Sequence, residues 1–167
     1  KSNSFDFVAS YLMMQWCTDL KTRFNECHRV LTPQVLILVT TFGPETLKEL
    51  KRSWSIVDSS PHVNEFIDMH DIGDQMIQSG FQSPIMEMEK LTLTYEKVID
   101  LMRDLKGIGA QSVDNRSKSL TGKTKFKKML EMYESYRENV KIPATYEVIY
   151  GHAWKNNIKF EAISLDN

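Results

Sequence analysis

Val35-Leu36-Ile37-Leu38-Val39-Thr40-Thr41-Phe42 is a nearly continuous apolar run without alternation, and its reading decides the fold. A membrane span needs roughly 20 apolar residues, so this run is far too short to cross a bilayer. It suits a strand buried on both faces, the habit of parallel sheets covered by helices. Upstream, Leu20, Phe24, Cys27 and Leu31 recur at spacings of four, three and four, with Lys21, Arg23, Asn25, Glu26 and Arg29 on the other side. That pattern predicts an amphipathic helix opened at Asp19 and stopped by Thr32-Pro33. Phe5-Asp6-Phe7-Val8-Ala9-Ser10 is short, β-prone and bounded by polar residues, and so predicts a first strand. Strand, helix and buried strand make a βαβ unit, and the expected class is α/β.

Downstream, Gly43-Pro44 is expected to open a helix with the apolar stripe Leu47, Leu50, Trp54 and Val57. A further helix starts near Asp71 and closes at Gly80. Residues 84–95 look extended, and 94–105 turn helical through Val98, Leu101 and Leu105. Residues 111–121 look like an exposed polar loop, and a helix over about 121–139 carries Phe126, Met129, Leu130, Tyr133 and Tyr136. Pro143 ends it. A last strand then alternates Tyr146, Val148, Tyr150, His152 and Trp154 with Thr145, Glu147 and Ile149. The expected layout is a partial domain over residues 1–155 and a weakly packed tail over 156–167.

The 167 residues are 41% hydrophobic and 26% charged, values of a folded globular chain rather than a fibrous or disordered one. Lys+Arg total 21 and Asp+Glu 22, a net charge of -1, so neither nucleic acid nor an anionic membrane is favoured by the overall field. Any charged partner must be met by a local patch. Cys17 and Cys27 form neither a C-x-x-C pair nor a disulfide framework. No signal-peptide apolar segment follows the charged start, and a cytoplasmic location is expected. The chain opens on Lys1 and enters a strand within a few residues, like a start in the middle of a domain.

Phe5 to Ser10, followed by Leu12, Gln15-Trp16-Cys17 and Asp19-Leu20, resembles the fourth strand and following loop of Rossmann-like S-adenosylmethionine-dependent methyltransferases. Arg29-Val30-Leu31-Thr32-Pro33 resembles that family's approach to strand five. Leu50, Trp54, Val57-Asp58, Pro61-His62, Asn64 and Phe66, then Leu101-Met102-Arg103-Asp104-Leu105-Lys106-Gly107-Ile108-Gly109-Ala110, are similar to the malonyl-acyl-carrier-protein O-methyltransferases of biotin synthesis. The resemblance covers about Phe5 to Lys155. Three departures stand out. Tyr11 replaces a small asparagine, Gln34-Val35 replaces two turn glycines, and no G-x-G-x-x-G-like turn with its acidic partner occurs. The resemblance therefore implies the C-terminal part of a class I methyltransferase fold: strands four to seven plus lid helices, with an antiparallel last strand.

The implied reaction moves a methyl group from S-adenosylmethionine to the free carboxylate of a malonyl thioester on acyl carrier protein. A carboxylate is already nucleophilic at neutral pH, so no catalytic base is expected and catalysis rests on positioning and exclusion of water. Open α/β sheets bind ligands at the carboxyl ends of their strands. Ser10, Tyr11, Leu12, Gln15 and Trp16 are thus the cofactor-binding candidates, with Thr40, Thr41 and Phe42 weaker ones. Leu12 and Trp16 also fit ordinary core positions.

Arg52, His62, Asn64 and Lys106 are the family-matching candidates for the substrate carboxylate. Arg52 and Lys51 also fit a solvated helix face, Lys51 more so, and His62 also fits a hydrogen-bonded structural histidine. His62, Asp68, His70 and Asp71 match no zinc or calcium spacing, and no metal is expected. Arg116, Lys118, Lys123, Lys125, Lys127 and Lys128 run without an intervening acid, a patch suited to an acidic carrier protein or simply a solvated surface. Nucleic acid is disfavoured for want of interleaved aromatics or a motif. An unpaired edge on the first strand predicts a homodimer through that edge or a partly unstable monomer. The alternatives are a methyltransferase for another small acceptor, and a non-catalytic interaction module.

Overall fold

The computed structural model of the protein describes residues 1–17, 19–107 and 122–156. Its elements are β1 (Val8–Tyr11), α1 (Leu20–Val30), β2 (Val35–Phe42), α2 (Lys48–Ser55), α3 (Met69–Gln78), β3 (Gln82–Tyr95), α4 (Val98–Gly107), α5 (Lys123–Glu134) and β4 (Ile142–Lys155). Ile108 to Ala110 of the quoted motif, the 111–121 loop with Arg116 and Lys118, and residues 157–167 of the tail lie outside the described residues. The chain divides into two compact units, one of residues 1–41, 69–87 and 150–167, the other of 42–68 and 88–149.

The four strands form a sheet of order β1-β2-β4-β3. β1 and β2 are parallel, with Val8 opposite Ile37 and Tyr11 opposite Thr40. β4 runs the other way: Gln34 N donates to Lys155 O, and further along β2 the partner numbers on β4 fall. This is the antiparallel last strand expected from the resemblance. β1 ends the sheet, so its outer backbone edge has no strand neighbour among the described residues. It is the edge on which the expected self-pairing depends.

The parallel pair exists because α1 returns the chain. Asp19 caps it, its Oδ1 accepting from Thr22 N at 2.9 Å. Leu20 and Phe24 are buried on its inner face, and Phe24 alone contributes roughly 1.5–3 kcal/mol by leaving water. Phe24 meets Phe81 edge-on at 6.4 Å between ring centroids, tying α1 to the end of α3. α3 closes with Gly80 at φ +92°, Gly80 N bonding Ile77 O and Phe81 N bonding Met76 O. These are the two bonds of a glycine-closed helix terminus, and Met76 and Phe81 supply its buried apolar contact.

Four expectations are corrected. β1 starts at Val8, with Phe5 making only an isolated bridge to Leu31. β2 is buried on one face, not two: Ile37, Val39 and Thr41 are buried while Leu38 is 42% exposed. Of the two outcomes open to the turn into β2, ordinary angles or strain, it takes strain: Gln34 sits at φ +65°. α2 begins at Lys48 and not at Gly43-Pro44, since residues 43–47 form turns first and Leu47 adopts φ +55°. α5 stops at Glu134, where the chain turns toward β4.

In the second unit the apolar stripes of three helices meet the start of β4. Leu50 and Trp54 of α2, Leu101 and Leu105 of α4, and Met129 and Tyr133 of α5 close over Ile142 and Ala144. α5 packs against both α2 and α4. The two faces of β4 differ from what its aromatics suggest. Thr145, Glu147, Ile149, Gly151, Ala153 and Lys155 are buried, while Tyr150 and Trp154 are each 39% exposed.

Candidate active site

In the first unit, the chain leaves the carboxyl end of β1 through an abrupt turn. Leu12 has φ +49°, and its N–H donates to Thr40 O at 2.9 Å and to Thr40 Oγ1 at 3.2 Å. A single helical turn over Met14–Trp16 follows, and Met14 is the residue that buries. Thr41 Oγ1 donates to Gln15 Oε1 at 3.2 Å, so the end of β2 holds the loop from beside it. What remains accessible is apolar and aromatic: Tyr11 at 75%, Met13 at 62% and Trp16 at 42% exposure. Leu12 is half-buried and Trp16 exposed, so neither is ordinary core. Ser10 and Tyr11 end β1, and Leu12, Gln15 and Trp16 lie on the loop that follows it, beside the end of the parallel β2. Gln15 acts there as a tether, and Thr40 and Thr41 as its anchors.

The second unit holds Arg52, His62, Asn64 and Lys106, the candidates for the substrate carboxylate. His62 stacks on Trp54 at 3.6 Å and 10° between planes, and its Nε2 lies 2.7 Å from Asp58 Oδ1. Asp58 Oδ2 takes Lys125 Nζ at 3.0 Å, and Ser60 N donates to Oδ1 at 3.0 Å. Partial burial alone would raise the Asp58 pKa, but donors from Lys125, His62 and Ser60 outweigh it and lower the value from 3.8 to about 2. The carboxylate is therefore ionised and can only accept, which places the proton on Nε2 of His62. His62 is thus engaged in holding the 58–62 turn, the structural role kept open for it. Arg52 is exposed on α2, Lys106 is exposed at the end of α4, and Asn64 is half-buried between them in sequence.

Several residues missed by sequence reasoning shape this unit. Glu147 Oε2 accepts from Glu45 N at 2.8 Å, and a side chain on Gly43 would meet the same carboxylate at 2.5 Å. Gly43 is a glycine because a buried acid fills its side-chain space. Glu49 accepts from both Thr145 N and Thr145 Oγ1, at 3.1 and 2.5 Å. Phe42, the last residue of β2, meets Phe66 at 5.7 Å and Tyr146 at 5.8 Å. Burial pushes the Tyr133 and Tyr146 hydroxyls well above the ordinary phenol value, so both are neutral. Among the described residues, no group of three or more His, Cys, Asp or Glu side chains is placed to hold a metal ion. No helix among them is long and apolar enough to cross a membrane.

A family model for a methyltransferase domain matches residues 1–39. A malonyl-acyl-carrier-protein O-methyltransferase of Gallionella capsiferriformans is 52% identical over 155 residues, which is 92% of this chain and 53% of the relative. One of Coxiella burnetii is 49% identical over 153 residues, 90% of the chain and 54% of the relative. The chain is homologous to malonyl-acyl-carrier-protein O-methyltransferases. It spans about half the length of these curated relatives. Among solved structures, the YcgJ protein of Bacillus subtilis superposes with a TM-score of 0.58 at 13% identity, over 93% of this chain and 65% of that one. A Bacillus halodurans methyltransferase structure gives 0.57 at 16% identity, over 93% and 66%. The fold of this methyltransferase homologue is similar to part of that of class I S-adenosylmethionine-dependent methyltransferases.

Proposed function

We propose that this chain forms the acceptor-side part of an enzyme that methylates the free carboxylate of a malonyl thioester carried on acyl carrier protein, a step of biotin synthesis. The observation that carries the reading is 52% identity to such an enzyme over 92% of the chain. The loop at the end of β1 supports it: Ser10, Tyr11, Leu12, Gln15 and Trp16 would hold S-adenosylmethionine, which supplies an electrophilic methyl carbon. Exposed Tyr11, Met13 and Trp16 suit a flat base and a sulfonium, and Leu12 and Gln15 are fixed by Thr40 and Thr41. The glycine-rich turn that grips such cofactors is not in this sequence, and we assign it to the half that the chain does not span.

The chemistry asks little of acid–base groups. The acceptor oxygen is anionic at neutral pH, so the chain's residues need only orient it, keep water out and align it for displacement. The test is methyl transfer by the full-length protein carrying this chain. Supplied with malonyl-acyl carrier protein and isotope-labelled S-adenosylmethionine, it should yield a labelled methyl ester detectable by mass spectrometry and lost on saponification. Label appearing only on sterol, quinone or small-acid acceptors would replace this reading with the other-acceptor one. Absence of transfer to every acceptor would favour a non-catalytic module.

A further inference from the structure

We propose that Lys51 is the residue that binds the acceptor's free carboxylate. The inference rests on the malonyl-thioester reading and adds the specific group that recognises the substrate's charge. Lys51 lies one helical turn after Leu47 and three residues before Trp54, so it borders the buried stripe of α2, whereas Arg52 turns away and is exposed. Its stem is half-buried. Its Nζ donates to Pro44 O at 2.8 Å and sits 5.1 Å from the centre of the Phe66 ring. Phe66 in turn packs on Phe42, at the carboxyl end of β2, where sheets of this type receive ligands. The ammonium is therefore held by Pro44 O and the Phe66 ring, next to the contacts Phe66 and Tyr146 make with Phe42.

The acids around it are already engaged or solvated. Glu45 pairs with Lys48 at 3.2 Å, Glu147 accepts from Glu45 N at 2.8 Å, and Glu65 is exposed. An ammonium offers three donors, and Pro44 O accounts for one. Burial lowers the Lys51 pKa below the ordinary lysine value against the pull of Glu65, Glu45 and Glu147, the mark of an under-solvated charge. An incoming carboxylate restores the missing solvation. Lys125, Arg52 and Lys106 lack this setting: the first is bound to Asp58, and the other two are exposed.

The assignment gives the site a sense of direction. Methyl transfer breaks a sulfonium C–S bond and forms an O–C bond at the carboxylate, without moving a proton, and the ester product is neutral. A pocket that reads charge through Lys51 therefore holds the substrate and releases the product. In the full-length enzyme, binding of a non-transferable malonyl thioester analogue and of its methyl ester is compared in the wild type, Lys51→Met, Lys51→Arg and Arg52→Met. The wild type should prefer the free acid by roughly tenfold or more, the value of a charge-assisted hydrogen bond of about 1.5–3 kcal/mol. Lys51→Met should bring the ratio near one with cofactor affinity unchanged, Lys51→Arg should keep most of the preference, and Arg52→Met should keep all of it. Thermal melts identify any variant that fails to fold; should Lys51→Met fail, Lys51→Gln replaces it, where a ratio near one supports the assignment and an unchanged ratio overturns it. Unchanged preference in a folded Lys51→Met, or its loss in Arg52→Met, overturns the assignment. Wild-type enzyme that transfers no methyl group to malonyl thioester overturns the functional reading instead.

Discussion

Asp58 shows how much one carboxylate can organise. Its oxygens receive Lys125, His62 and Ser60 N, which joins α5 to the turn that follows α2. With a folded pKa of about 2 against 3.8 unperturbed, the ionised form is favoured by folding. That stabilisation is fully present above about pH 4 and is lost as the pH falls through about 2. Urea unfolding followed from pH 7 to pH 2 should show a steep acid loss in the wild type and a shallower one in Asp58→Asn, which is also less stable at pH 7. Parallel acid limbs in the two proteins would remove Asp58 from this role. In sequence, Asp58 and His62 are visible as motif residues, but the spacing cannot say whether His62 points to a ligand or to its own turn. Trp54 stacking and the Asp58 contact turn its Nε2 toward its own turn.

At the scale of elements, α1 is closed from outside itself. The last carbonyls of a helix have no partner within it. Lys155, 5% exposed at the end of β4, donates its three N–H groups to His28 O at 2.6 Å, Leu31 O at 2.7 Å and Asn3 Oδ1 at 2.8 Å. Lys155→Met keeps most of the volume but strands these acceptors, and it should cost about 2–4 kcal/mol in chemical unfolding. Lys21→Met, on the exposed face of α1, should change stability by less than about 0.5 kcal/mol. Equal effects of the two would mean that the buried ammonium contributes nothing specific. The α1 stripe and its Asp19 cap are legible because they are local. Lys155 is not, since a lysine at the end of an alternating strand looks like a solvent-facing stop until α1 is laid beside it.

For the whole molecule, a net charge of -1 leaves partner recognition to local patches. The described part of the expected docking patch is narrower than the run of lysines suggests. Lys125 is bound to Asp58, leaving Lys123, Lys127 and Lys128 exposed on α5, with Lys127 3.9 Å from Glu131. If these lysines receive an acidic carrier protein, Lys127→Glu with Lys128→Glu in the full-length enzyme should lower kcat/KM for the carrier-bound substrate by about tenfold at low salt. The loss should shrink as salt rises, and a malonyl thioester of a short pantetheine-like thiol should be unaffected. An equal loss on the small thioester would point to damage in the fold and not to docking.

What the sequence determines by itself is what repeats over a few residues: the βαβ start, the helical stripes, the Gly80 stop and the motifs that mark a methyltransferase. Periodicity and capping are short-range physics, and they are carried in order along the chain. Tertiary structure alone decides which polar side chains are buried and with whom. Glu147 fills the space that makes Gly43 a glycine, Lys155 closes α1, and Lys51 is turned from a wet helix face to the Phe66 ring. Each of these pairs residues that are distant in the chain or set by a turn, and burial makes their contacts obligatory, because a polar group removed from water must find its partner wherever the fold places it.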